Sequence, residues 1–337
     1  MGDRPGVKIF PAAIPKGVAE VVTRSLFTFH LSHPMCHLPA RLLSLLWSAL
    51  LSVCFIASGQ ETKLEIAGSE IDVVFGSPVS DGLRDQVLDR IKLSGKAIVN
   101  YYHRYPVQEV RIDVSPHFGR GVSGGHASGW DGARIRLSVG KESTPADFAE
   151  DWVTTHEMVH LAFPSQEDQH HWIEEGQAVY IEPVARARIG ELTPERIWGD
   201  MVRDMPQGQP ATGDRGLDYT HTWGRTYWGG AIFCLLADVQ IRERTHNQKG
   251  LEDALRSVLA EGNIQSEWPL ERAIAIGDKA TGVPVLHELY EQMKATPVTV
   301  DLDGLWKKLG VKAVNGQVVF DDSAPLAAVR RAITARP

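Results

Sequence analysis

The chain has 337 residues, 43% of them hydrophobic, which is enough apolar material for one large domain or one domain with small additions. Its formal charge is −7, and no basic stripe or basic–aromatic interleaving gives nucleic acid a footprint. An acidic balance of this size bears on solubility, and neither an internal repeat nor a low-complexity tract is present.

In chain order, the first feature is the apolar run from Leu42 to Ala57, which follows Arg41 and ends in Ala57-Ser58-Gly59. A basic flank, an apolar core and small residues make a secretory leader, cut near Gln60. Residues 35–59 are therefore read as a signal peptide, with Met35 as the natural start and residues 1–34 as an extension from a start assigned too far upstream. The run is short for a stable membrane span, so the mature chain has none, an uncleaved N-terminal anchor being the alternative. Export implies a secreted or periplasmic protein. After a cut at Gln60 only Cys234 of the three cysteines remains, in an apolar stretch, as a small buried hydrophobe.

Residues 60–142 read as an α/β lobe: a strand over 63–75, a helix over 81–102, a strand over 109–114, a glycine-rich turn, and a strand over 134–139. Gly124-Gly125-His126-Ala127-Ser128 permits close approach of a peptide backbone, or forms a turn without function. Residues 143–295 read as a helical lobe. Thr144-Pro145-Ala146-Asp147 starts a helix through its capping residues, Phe148, Trp152, Val159 and Phe163 recur along one face, and Pro164 ends it. Thr193-Pro194-Glu195 starts another, and Leu251, Ala254, Leu255, Val258 and Leu259 stripe a third. Residues 296–337 form a short appendage with a turn at Val314-Asn315-Gly316, a strand over 317–320 and a helix around 324–333.

Inside the first of these helices stands His156-Glu157-Met158-Val159-His160. Histidines four apart lie one helical turn apart on the same face, so both can grip one metal ion, and Glu157 reaches a water held beside it. A third ligand is required. A third histidine six residues after the second is excluded, because Phe163 and Gln166 occupy the positions of the Gly and His of that pattern. The next helix offers Trp172-Ile173-Glu174-Glu175-Gly176-Gln177-Ala178-Val179-Tyr180, with Glu175, Glu174, His170 and His171 as candidates.

H-E-x-x-H followed by W-x-x-E-G-x-A-x-Y resembles the gluzincins, the thermolysin-like metallopeptidases, and within them the glycyl aminopeptidase family. The resemblance covers about 121–294, weakly before 144, and implies an α+β catalytic domain with a small β-rich lobe followed by a mainly helical one. It implies one zinc ion held by His156, His160 and Glu175, with Glu157 as general base on a peptide or protein substrate. Tyr227-Trp228-Gly229-Gly230, leading into an apolar run, is similar to the family's Y-x-K-G and gives Tyr227 the role of stabilising the oxyanion. Gly229 stands in place of the Lys, and Ala127 in place of the glutamate that binds the substrate's amine in the aminopeptidases. The alternative function is a secreted binding protein that keeps the fold without cleaving.

Overall fold

The computed structural model describes residues 60–336. The expected leader and upstream start lie outside them. Among the described residues no helix is long and apolar enough to cross a membrane.

Alternation of apolar and polar residues builds the first lobe. Strands β1 (Gln60–Ile66) and β2 (Ser69–Phe75) pair antiparallel. The sequence predicts a single strand over 63–75. Instead Ala67 and Gly68, at φ 52° and 84°, reverse the chain, a left-handed pair that suits a two-residue hairpin. Helix α1 (Asp81–Tyr102) follows, with the Ser80 hydroxyl accepting from the Leu83 N–H at its start. Then come β3 (Glu109–His117), β4 (Val122–Ser128) and β5 (Arg134–Gly140), giving a mixed sheet of order β1-β2-β3-β5-β4. The glycine-rich segment is thus no turn: it is β4, antiparallel to β5 at the sheet edge. Few side chains there pack on neighbours, so composition hid the strand that pairing with β5 makes.

Ile71, Val73, Phe75, Val110, Ile112, Val114, Ile135 and Leu137 point inward and join Val87, Ile91 and Ile98 of α1 in the core. Arg111, Asp113, Arg134 and Arg136 alternate onto the outer face, where Arg111 and Arg134 both donate to Asp113. The result is a sheet with one apolar and one charged side.

The helical lobe begins with α2 (Pro145–Ala149) and α3 (Val153–His160). Sequence periodicity suggested one helix; the structure breaks it at 150–152. Asp151 is the cause: its buried carboxylate accepts from the Thr154 N–H and hydroxyl and is gripped by Arg90 of α1 at 3.2 Å. Arg90 also donates to Thr155 at 3.0 Å and pairs with Glu191, tying α1 to the start of α3 and to the end of the next helix. That helix is α4 (His171–Arg188), followed by α5 (Pro194–Asp204) with the Thr193 cap that the sequence suggested.

A π-helical turn over Gly224–Gly229 leads into α6 (Gly230–Arg244). The two helices meet at glycines. A Cβ on Gly176 of α4 would lie 2.3 Å from the Gly230 backbone, and one on Gly230 would lie 2.1 Å from the Trp172 carbonyl oxygen. Helices α7 (Leu251–Glu261), α8 (Leu270–Thr281) and α9 (Val285–Met293) complete the lobe. The final segment holds α10 (Leu302–Leu309), which the sequence reading missed, then the hairpin β6 (Val311–Val314) and β7 (Gln317–Phe320), and α11 (Ala327–Ile333). Asn315 and Gly316 turn the hairpin at φ 50° and 76°, as the Asn-Gly pair predicts.

Candidate metal centre

Three of the expected ligands come together. His156 and His160 face the same way from α3, with ring centroids 4.9 Å apart, and Glu175 reaches them from α4. Its Oε2 lies 3.1 Å from His156 Nε2 and 3.7 Å from His160 Nε2, and one donor atom from each of the three falls within 4.8 Å of the others. Two donors about 2.1 Å from one tetrahedral ion stand about 3.4 Å apart, so this spacing fits zinc.

The alternatives point elsewhere. Glu174, about a third of a turn round α4, pairs with His171 at 3.3 Å and accepts from the Gln166 N–H. His170 is bonded to the Tyr290 hydroxyl at 3.1 Å, beside Asp218. His171 Nε2 lies 3.3 Å from Glu175 Oε1, so it holds the other oxygen of the same carboxylate.

Charge states match the geometry. Burial pushes His160 down to about 4, leaving a neutral imidazole. Burial raises Glu175 as well, but hydrogen bonds from His156 and His171 outweigh it and hold the carboxyl far below its usual range. A metal ligand needs both conditions. For His156 burial opposes the charge, yet its bond to Glu175 wins and the pKa moves up. A proton and a metal ion compete for that ring's lone pair. His171 rises to about 10 through its bonds to Glu174 and Glu175.

Glu157, the next residue along α3 from His156, lies between the three expected ligands and the sheet. Its carboxylate accepts from the Ala127 N–H of β4, and its Cγ occupies the space where a Gly125 side chain would be, 2.4 Å from an ideal Cβ. Burial lifts it to about 7. In the sequence Gly125 marks a place of close backbone approach; here the approaching group is the protein's own Glu157.

Tyr227 sits on the π-helical turn, which Gly176 and Gly230 let lie close against α4. Its ring is stacked between Trp223, at 5.9 Å, and His156, at 6.5 Å, and its hydroxyl bonds Glu175. Burial, then the nearby charge of Glu175, raises its pKa, so the hydroxyl keeps its proton. An extra residue in a helical turn re-aims a side chain, a device common at functional sites. On this side an open cleft of about 660 Å³ is walled by His171, Tyr219, His221, Trp223 and Tyr227.

No family model matches the chain, and no curated protein matches its sequence. Among solved structures it is similar to an aminopeptidase N family protein from Idiomarina loihiensis, at TM-score 0.57 and 14% identity over 75% of this chain and 49% of that one. A metallopeptidase from Deinococcus radiodurans, a zinc enzyme of the M1 group, aligns at TM-score 0.45 and 12% identity over 71% of this chain and 52% of that one. The chain spans about half the length of these solved neighbours. The first likeness shows the fold: a small mixed-sheet lobe followed by helices, the α+β arrangement of an aminopeptidase N-like domain.

Proposed function

We propose that the protein is a zinc-dependent peptidase, a gluzincin whose catalytic domain is thermolysin-like and nearest the glycyl aminopeptidase family. One observation carries the reading. His156, His160 and Glu175 converge at metal-ligand spacing, while Glu157, three residues before His160, is buried beside them without being part of the set. A bound zinc ion supplies Lewis acidity, polarising the scissile carbonyl and acidifying a water.

The chain's own groups do the rest. Glu157, lifted toward neutrality by burial, takes the proton of the attacking water and returns it to the leaving amine. The Ala127 N–H and the gap at Gly125 hold its carboxylate in place. Tyr227, still protonated, donates its hydroxyl to the developing oxyanion. The π-helical turn and the flanking Trp223 fix its ring. His171 steadies Glu175 through the oxygen that the histidines of α3 leave free. A binding protein that does not cleave has no use for a desolvated Glu157.

The substrate is a peptide or protein, and the leader at 35–59 makes the mature chain a secreted or periplasmic product beginning near Gln60. N-terminal sequencing of the exported protein tests that. The test of the site is bound metal and hydrolysis in the wild type, Glu175→Ala and Glu174→Ala. One zinc per chain, lost with Glu175→Ala and kept with Glu174→Ala, is the expected result. Zinc indifferent to both changes rejects the ligand set.

A further inference from the structure

Among the described residues, large apolar side chains on the surface are mostly half covered. Phe118 and Trp130 are not: they are 92% and 89% exposed, against at most 47% for any other exposed large hydrophobic among the described residues. Both flank the edge strand of the candidate active site. Phe118 lies in the loop entering β4, and Trp130 in the turn leaving it.

Neither sits on a loose segment. Around Phe118 the Lys141 N–H donates to the His117 carbonyl, Glu142 to Gly119 and Gly140 to Gly121, at 2.8 to 2.9 Å. His117 adds side-chain contacts to the Phe118 carbonyl at 2.6 Å and to the Ser123 hydroxyl at 2.9 Å. Beside Trp130, a Cβ on Gly129 would lie 2.0 Å from the Ile264 carbonyl oxygen, so the turn is packed directly on the loop after α7. Two well-held loops therefore present bare aromatic rings.

Between them runs β4, the last strand of its sheet, with Glu157 against Gly125 at its midpoint and bonded to the Ala127 N–H. An extended chain that adds itself to this edge passes the candidate base at mid-strand. Seven residues at about 3.4 Å each span a little over 20 Å. Such a chain has about three residues on either side of Glu157 before it reaches the level of Phe118 or Trp130.

We propose that the substrate is an internal, extended polypeptide segment continuing on both sides of the cleaved bond, with Phe118 and Trp130 receiving its apolar residues at the two ends of β4. This rests on the peptidase reading above and assigns that site an endopeptidase substrate with distant apolar contacts.

The test uses the zinc-loaded full chain and doubly blocked fluorogenic peptides, N-acetylated and C-amidated, sharing one central sequence. One is a four-mer; two are ten-mers, carrying leucine or serine at their outer positions. Wild type is expected to prefer the leucine ten-mer over the four-mer, and Phe118→Ser with Trp130→Ser to cut that preference in kcat/KM about tenfold, the usual worth of an apolar contact. The same pair of changes in a Glu157→Gln background is expected to weaken binding of a labelled leucine ten-mer about tenfold, read by fluorescence anisotropy. An unaltered ten-mer to four-mer ratio overturns the proposal and leaves the peptidase standing, as does cleavage of unacetylated copies of the same peptides with none of the blocked ones. Binding that depends on both aromatics, with no cleavage of any peptide by wild type, supports the docking edge and rejects the hydrolysis.

Discussion

Replacing Gly125 by alanine puts a methyl group where Glu157 now lies. The added Cβ would stand 2.4 Å from Glu157 Cγ, 2.7 Å from Oε1 and 2.8 Å from Cδ. Carbon atoms in contact prefer about 3.5–4.0 Å, so the side chain must swing off β4 by about 1 Å or more and give up the Ala127 N–H. Its far end is free to move, and the fold should tolerate the change. Losing one hydrogen bond costs about 1 kcal/mol. Alanine in place of glycine within a strand returns about 0.5–1 kcal/mol of chain entropy. Net stability should stay nearly level. Activity should not if Glu157 is the base, because misplacing a catalytic group by this much costs about a hundredfold. That corresponds to about 2.7 kcal/mol in the barrier. The proposed ligands on α3 and α4 are untouched, so zinc should remain at wild-type stoichiometry. The assay pairs kcat/KM on a peptide substrate with elemental analysis and a melting curve. Wild-type kcat/KM in a folded, zinc-loaded Gly125→Ala protein would refute the idea that β4 sets the position of Glu157.

Other perturbations separate the remaining parts of the argument. Tyr227→Phe keeps the ring between Trp223 and His156 but removes the donor, so kcat should fall about 10²- to 10³-fold with zinc retained; unchanged kcat would remove Tyr227 from the mechanism. Gly176→Ala drives a methyl into backbone at 2.3 Å, which no side-chain rotation relieves, and should destabilise the fold by about 3 kcal/mol; a melting temperature equal to wild type would contradict the close helix crossing. Asp218, which accepts from Trp172 at 2.8 Å and Tyr290 at 3.0 Å, has its pKa lowered although burial works against this, and His170 beside it has its own raised, chiefly by its bond to Asp218. The Asp218 contribution to stability is therefore present above its unfolded pKa of about 4 and lost as the pH falls through its lower folded value. The His170 contribution is complete below about pH 6.5 and lost as the pH rises through its higher folded value. Melting curves from acid to alkaline pH should show a shallower alkaline decline in His170→Gln than in wild type, and parallel curves would count against the pair.

Much of the helical lobe was legible because its signals are local. The caps at Thr144 and Thr193 and the stripe from Leu251 to Leu259 each act within a few residues of their cause, as does the Asn315-Gly316 turn beyond that lobe. In two places a distant partner intervened. The helix expected through 144–163 breaks because Arg90 holds Asp151 out of line. The glycine-rich segment became a strand because β5 lay ready to pair with it. Helix α10 was missed although it is short and regular; nothing in its capping or spacing is unusual.

By itself the sequence determined the pairing of His156 with His160, since helical pitch alone stacks residues four apart. It also determined that a carboxylate on the following helix stood ready as a partner. Which carboxylate was a tertiary decision: adjacent residues on a helix point about 100° apart, and the rotation of α4 turns Glu175 to the histidines and Glu174 to His171 and the Gln166 N–H. That rotation depends on contacts no local pattern encodes, above all the crossing at Gly176 and Gly230, which also brings Tyr227 to Glu175. Tertiary structure likewise decided that Glu157 is desolvated, because the strand that covers it begins more than thirty residues earlier in the chain and reaches it only once the sheet has formed.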